Sequence, residues 1–146
     1  IGAEIILRHA FSPDALVVAG LNARAQGVTV TPMHGDLLLP LLAQGIKVDI
    51  VMANLPYIPT GDLPALAVSK YEPALALDGG VDGLDLVRRL LEQTPAVTAP
   101  GAVVLLEIGA DQGAAVVALA REKLAAQHID IVRDLAGHDR VVRIRL

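Results

Sequence analysis

Short stretches rich in Ile, Val and Leu alternate along this chain with longer ones whose apolar residues recur every three or four positions. Alternation of those two periods argues for strand-helix-strand units and an α/β fold with a mainly parallel sheet. Strand-length runs fall at about residues 4–7, 28–34, 48–53, 102–108, 130–134 and 141–146. Six strands are enough for an open sheet. A first helix is expected to start with Ser12 as cap and Pro13 in its first turn, to bury Ala15, Leu16, Ala19 and Ala23, and to stop at Gly27. A second is expected over 84–94, with Leu86, Leu90 and Val87 facing inward, and a third, rich in Ala, over 111–127.

Two stretches break the alternation. Between Pro56 and Gly83 the chain carries Pro59, Pro64 and Pro73 with Gly61, Gly79 and Gly80, so a long irregular loop follows the third strand. Such loops in compact domains are usually functional. Between the last two strands stands Gly137-His138-Asp139-Arg140, too short for a helical crossover, which predicts an antiparallel hairpin at the sheet edge.

The 146 residues match the size of one domain, and 53% of them are hydrophobic but only 2% aromatic. The core must therefore be aliphatic, as in helix-covered sheets. A net charge of -4 supplies no basic field for nucleic-acid phosphates, so no nucleic-acid partner is expected. The absence of cysteine excludes disulfides and thiolate metal sites and fits a reducing compartment, the cytoplasm. The four histidines show no metal-ligand spacing, so no metal is expected, and no apolar run reaches the roughly 20 residues that cross a bilayer. The chain opens on Ile1 and runs almost at once into a strand, which reads as a chain cut within a domain.

Candidate chemistry concentrates at Asn54-Leu55-Pro56-Tyr57, where the third strand ends. Ligands of open α/β sheets bind beyond the carboxyl ends of strands. Pro56 fixes its own φ and biases Leu55 toward extended geometry, so the carbonyls there point in set directions. With the Asn54 side chain they can receive both hydrogens of an amide or amino NH2, and Tyr57 can pack on the planar group. Read alone, the tetrapeptide is equally a strand-to-loop turn.

Its company is specific. Val48-Asp49-Ile50-Val51-Met52-Ala53-Asn54-Leu55-Pro56-Tyr57-Ile58-Pro59, then Lys70-Tyr71-Glu72-Pro73-Ala74-Leu75-Ala76-Leu77, then Asp78-Gly79-Gly80-Val81-Asp82-Gly83-Leu84-Asp85 resembles the release-factor glutamine N5-methyltransferases, the HemK/PrmC family. So do Pro100-Gly101 with Leu105-Leu106-Glu107-Ile108-Gly109-Ala110-Asp111-Gln112, and the ending Asp134-Leu135-Ala136-Gly137-His138-Asp139-Arg140-Val141-Val142. The resemblance is collinear over nearly the whole chain. It implies a class I S-adenosylmethionine-dependent methyltransferase (Rossmann-like) sheet with an antiparallel last strand, and a peptide chain release factor as the protein methylated on glutamine. It further implies that Asn54 bonds the glutamine amide in a slot shaped by Leu55, Pro56 and Tyr57, that Asn54 also meets S-adenosylmethionine, and that Asp36 and Leu37 meet its adenine. Glu72 and Pro73 are expected to fix the loop over the site, Glu72 either by contacting substrate or by capping backbone donors, and Glu107 to support the site from its strand.

The chain departs from that pattern in its cofactor half. Proteins of this fold hold the cofactor on a Gly-rich turn after the first strand and bond its ribose through an acid ending the next. No such turn precedes Ser12, and the acid's position is taken by Ala10. Residues 1–146 are therefore expected to form a partial methyltransferase catalytic domain lacking the first strand and helix, and loss of that central strand would leave open edges and an apolar groove. Leu55 stands where the family usually has Pro. The same Asn-Leu-Pro-Tyr occurs in adenine dimethylases of ribosomal RNA, so an adenine N6-methyltransferase acting on RNA or DNA is the alternative enzyme; a non-catalytic remnant is the alternative outside enzymes.

Overall fold

Period-two and period-3.6 patterns are realised as ten regular elements in a computed structural model that describes the backbone of residues 5–9 and 13 and all of residues 14–146. In chain order they are β1 (Ile5–His9), α1 (Pro13–Ala25), β2 (Val30–His34), α2 (Leu39–Ala43), β3 (Val48–Asn54), α3 (Asp85–Val97), β4 (Thr98–Glu107), α4 (Gly113–Lys123), β5 (His128–Arg133) and β6 (Asp139–Arg145). The expected caps and contacts of Glu4, Ala10 and Ser12 lie outside the described residues. Two compact units result, Ile1–Ile46 and Lys47–Leu146.

In the first unit β1 and β2 run parallel, with α1 as the crossover between them. The expected stripe of α1 faces inward: Ala23 is buried and Ala15, Leu16 and Ala19 are half-buried, while Val17, Val18 and Leu21 are exposed. The short α2, with Pro40 in its first turn, was not expected; five residues are too few for a helical period to show.

The second unit is a four-stranded sheet in the order β3-β4-β6-β5. β3 and β4 are parallel, and β6 is antiparallel to both β4 and β5, so the terminal hairpin sits at the sheet edge as expected. Register places Val51, Val104 and Ile144 in one row and Ala53, Leu106 and Val142 in the next, and their shared face is the core. Along α3 the residues Val87, Leu90, Leu91, Thr94 and Val97 are buried at spacings of three and four, and Val116 and Ala120 of the adjoining α4 join them.

Among the boundaries that differ from the expected ones, α4 covers Gly113–Lys123 rather than 111–127, and those of α3 and β4 differ as well. The second helix was expected over 84–94, yet α3 continues to Val97 with Pro95 exposed inside it. A proline costs least near a helix end, and the carbonyls around it are served from elsewhere. Thr94 Oγ1 donates to Leu90 O (2.8 Å), Thr98 Oγ1 to Thr94 O (3.0 Å) and Lys47 Nζ to Ala96 O (2.9 Å), the last placing a cation at the helix C-terminus. β4 starts at Thr98 rather than near Ala102, with Pro100-Gly101 taken up by an irregularity opposite Val48 and Ile50.

Among the described residues β1 pairs only with β2, and β3 only with β4. On the face of β3 opposite the core, Ile50 and Met52 are 59% and 74% exposed.

Candidate active site

Asn54 is the last residue of β3, and it lies on the same side of that strand as Ile50 and Met52 because side chains alternate. Its register partner on β4 is Glu107, which in turn pairs with Val141 of β6. The Asn54 side chain is exposed and its amide makes no hydrogen bond among the described residues. Leu55, Pro56 and Tyr57 follow half-buried, turning the chain out of the sheet beyond its carboxyl edge.

The loop that follows is anchored by backbone pairing. Ile58 N donates to Leu77 O (3.0 Å) and Gly79 N to Ile58 O (2.8 Å), so Ile58 and Asp78 form a one-residue parallel bridge. Thr60 N donates to Gly80 O (2.9 Å). The Asp78 carboxylate accepts from Thr60 Oγ1 (2.7 Å) and Gly80 N (2.9 Å), and the Thr60 bond, then the Gly80 bond, holds its pKa below the ordinary carboxylate value. Asp82 accepts from Leu84 N (3.1 Å) at the start of α3 and from both guanidinium nitrogens of Arg88, which also meets Asp85 (2.9 Å). The Arg88 hydrogen bond is the main cause that lowers the Asp82 pKa to about 2.

Close approach of this loop to residues 56 and 57 requires glycine at two positions. A Cβ on Gly79 would stand 2.8 Å from Pro56 O and 2.7 Å from Gly83 O. Gly83 is buried with φ +76, and a Cβ there would meet Tyr57 O at 2.3 Å. From the other side comes Gln112, the residue that caps α4: its Oε1 accepts from Gly109 N (2.9 Å) and its Nε2 donates to Tyr57 O (2.9 Å) and Gly83 O (3.5 Å). Behind Gly109, Ile108 N donates to Arg140 O (3.0 Å), and Arg140 Nη1 returns a bond to Ile108 O (3.2 Å) while its other nitrogens hold Asp134.

No protein-family model matches the chain. It is, however, 49% identical over 132 residues to the release factor glutamine methyltransferase of Moorella thermoacetica, covering 88% of this chain and 46% of that protein. Over nearly its whole length the chain is similar to the release factor glutamine methyltransferases. Among solved structures, the release-factor-specific protein-(glutamine-N5) methyltransferase of Alicyclobacillus acidocaldarius is 27% identical, with 99% of this chain and 80% of that chain covered and a TM-score of 0.56. A methyltransferase of Pyrococcus furiosus, 12% identical over 97% of this chain and 61% of its own, shares the fold with a TM-score of 0.64. The fold is thus the Rossmann-like methyltransferase fold with a mixed sheet and an antiparallel last strand. The chain spans about half the length of the curated relatives it matches.

The residues expected at the cofactor are fewer than those expected at the substrate. Asp36 and Leu37 form the turn after β2 in the first unit. Leu37 is buried with φ +47, a left-handed conformation that costs a leucine roughly 1–2 kcal/mol and that functional turns often store. Ala10 is outside the described residues, and its methyl side chain has no acceptor for a ribose hydroxyl. The described residues therefore offer a turn carrying a carboxylate, without a Gly-rich turn or a ribose acid, and this set does not by itself make an S-adenosylmethionine site.

Of the two roles expected for Glu72, capping of backbone donors is not seen among the described residues. Glu72 is exposed, and its carboxylate makes no hydrogen bond among the described residues; Tyr71 beside it is 86% exposed. Irregular backbone between Leu63 and Ala76 is held instead by successive 3-10 turns and by Ser69 Oγ donating to Leu63 O (2.7 Å). Gln112, Asp78 and Gly83 carry site geometry that the sequence reading did not assign. The available signal was Gly109-Ala110-Asp111-Gln112, a strand-ending glycine with a glutamine three residues on, at the helix start where side-chain amides reach back to backbone donors.

Two outcomes are expected. Gly83→Ala should lower the urea-unfolding free energy by about 2 kcal/mol, through positive φ and collision with Tyr57 O, whereas Gly61→Ala, where a Cβ meets nothing within 4 Å, should change it by less than about 0.5 kcal/mol. Asp82 ionises in the folded protein at about 2 against an ordinary 3.8, so its contribution is present above the ordinary value and is lost as pH falls toward the folded one. Urea melts at stepped pH should show Asp82→Asn less stable than wild type near pH 7, with the gap closing between about pH 4 and pH 2.

Proposed function

We propose that the protein carrying this chain methylates the side-chain amide nitrogen of a glutamine in a peptide chain release factor, in the cytoplasm, with S-adenosylmethionine as methyl donor. The observation that carries this reading is the unpaired, exposed Asn54 amide at the carboxyl end of β3, followed by the braced turn at Pro56 and Tyr57, in a chain 49% identical to a release factor glutamine methyltransferase.

An amide nitrogen is a poor nucleophile because its lone pair is delocalised into the carbonyl. Asn54 Oδ1 and a neighbouring backbone carbonyl would accept its two N–H bonds, push electron density back onto nitrogen and offset the positive charge that develops as the new bond forms. Aimed dipoles of this kind are worth about 3 kcal/mol each where their loss has been measured. Tyr57 would hold the planar group in one orientation, and fixed orientation supplies much of the remaining acceleration. S-adenosylmethionine, when bound, supplies a methyl group on a sulfonium centre, so the protein needs no covalent nucleophile. The net charge of -4 favours a protein over a nucleic-acid substrate.

Incubating the full-length protein with a release factor and methyl-labelled cofactor should place label on a glutamine, and Asn54→Ala should slow that transfer by about 100-fold or more. Label absent from glutamine, or undiminished by Asn54→Ala, contradicts the proposal.

A further inference from the structure

We infer that Gln112 is the positioning residue of the glutamine slot: its side chain sets the distance between the Tyr57 and Gly83 carbonyls and so fixes the direction of the turn that follows Asn54. The inference rests on the function proposed above and adds to it a residue whose side chain lies outside the Asn-Leu-Pro-Tyr motif.

Three loops leave the second unit near the ends of β3, β4 and the irregular stretch before α3, and the Gln112 amide touches all three. Oε1 takes the Gly109 N–H at 2.9 Å, which ties the side chain to the end of β4. Nε2 gives one hydrogen to Tyr57 O at 2.9 Å and faces Gly83 O at 3.5 Å. An amide side chain suits this task because it presents an acceptor and two donors on one rigid plane. Two carbonyl oxygens facing each other repel, so a donor between them is what lets Gly83 approach Tyr57 closely.

Gln112 is itself held. Its backbone N donates to Gly109 O (3.0 Å) and its backbone O accepts from Val116 N (3.0 Å), so the side chain projects from the first turn of α4. Beneath it Gly113 is buried, with room for a Cβ denied by Asp139 Oδ2 and Ile131 at 2.9 Å each. The Asp134–Arg140 pair (3.1 Å) fixes Ile108 from the hairpin side. A rigid support of this kind decides orientation at the reacting group, where displacement of about 1 Å can cost about 100-fold in rate.

The test compares wild type, Gln112→Ala and Gln112→Glu in the full-length protein. Glutamate keeps the acceptor for Gly109 N and removes the donor facing Tyr57 O and Gly83 O. Both variants should lower kcat for glutamine methylation about 10- to 100-fold with KM for cofactor within about twofold of wild type, and should speed amide hydrogen exchange in residues 54–60 and 79–84 while leaving β4 and β6 unchanged. Gln112→Glu as active as wild type overturns the inference while the proposed function stands. If wild type itself transfers no methyl to glutamine, the proposed function fails, and the exchange data alone decide Gln112: unchanged exchange in those two segments overturns its positioning role.

Discussion

Irregular backbone that leaves a buried strand must find a partner for each polar group it hides, and the whole substrate side of this domain follows from how that is done at Tyr57. The Tyr57 carbonyl accepts from Gln112 Nε2, and Gly83 lies close enough that any side chain there would strike it. With that contact in place, Ile58 is in register to pair across Asp78, Thr60 to reach Gly80, and Asp82 to meet the start of α3 through Leu84 and Arg88. The Asn54 side chain, which makes no hydrogen bond among the described residues, is then left exposed at the carboxyl end of the strand, where open α/β sheets bind ligands.

The sheet supplies rigidity, and the loop supplies chemistry. β3 is locked to β4 by parallel register up to the Asn54–Glu107 pair, and β4 is locked to β6 from Val103 to Glu107, so the strand end that carries Asn54 belongs to the best-packed part of the second unit. The loop is built instead from short polar contacts at its ends, and its middle exposes Leu66, Val68, Tyr71 and Leu75. In the sequence those side chains flank Glu72, whose part in the family resemblance is a loop over the site. Under the proposed function, a turn braced at its root and exposed at its middle suits a glutamine carried on another protein.

Much of this was legible in the chain. Strand-length apolar runs located all six strands to within a few residues, and the short gap before Asp139 gave the antiparallel hairpin, because burial on one sheet face leaves a period that loops do not imitate. Asn54, Pro56 and Tyr57 were singled out as chemistry through the motifs around them, since alone the tetrapeptide is equally a strand-to-loop turn. Gln112 was not: its role depends on a carbonyl 55 residues away, and no local pattern records which loop a helix cap will touch. The second helix was expected to stop at Thr94 and runs on to Val97, where Thr98 Oγ1 serves Thr94 O and Lys47 Nζ, from outside the helix, serves Ala96 O. The cofactor half was thin at both levels, with Ala10 where an acid was expected and a strained Leu37 marking the turn after β2.

The central claim is that Asn54 and the braced turn after it form a slot for one planar amide. A crystal structure of the full-length protein with a glutamine-containing release-factor peptide tests it most directly. The account predicts the glutamine side-chain nitrogen at about 2.9 Å from Asn54 Oδ1 and from a backbone carbonyl of Leu55 or Pro56, with the Tyr57–Gln112 bond retained. A glutamine amide bound elsewhere, or bound only after the Tyr57–Gln112 bond has opened, would contradict it.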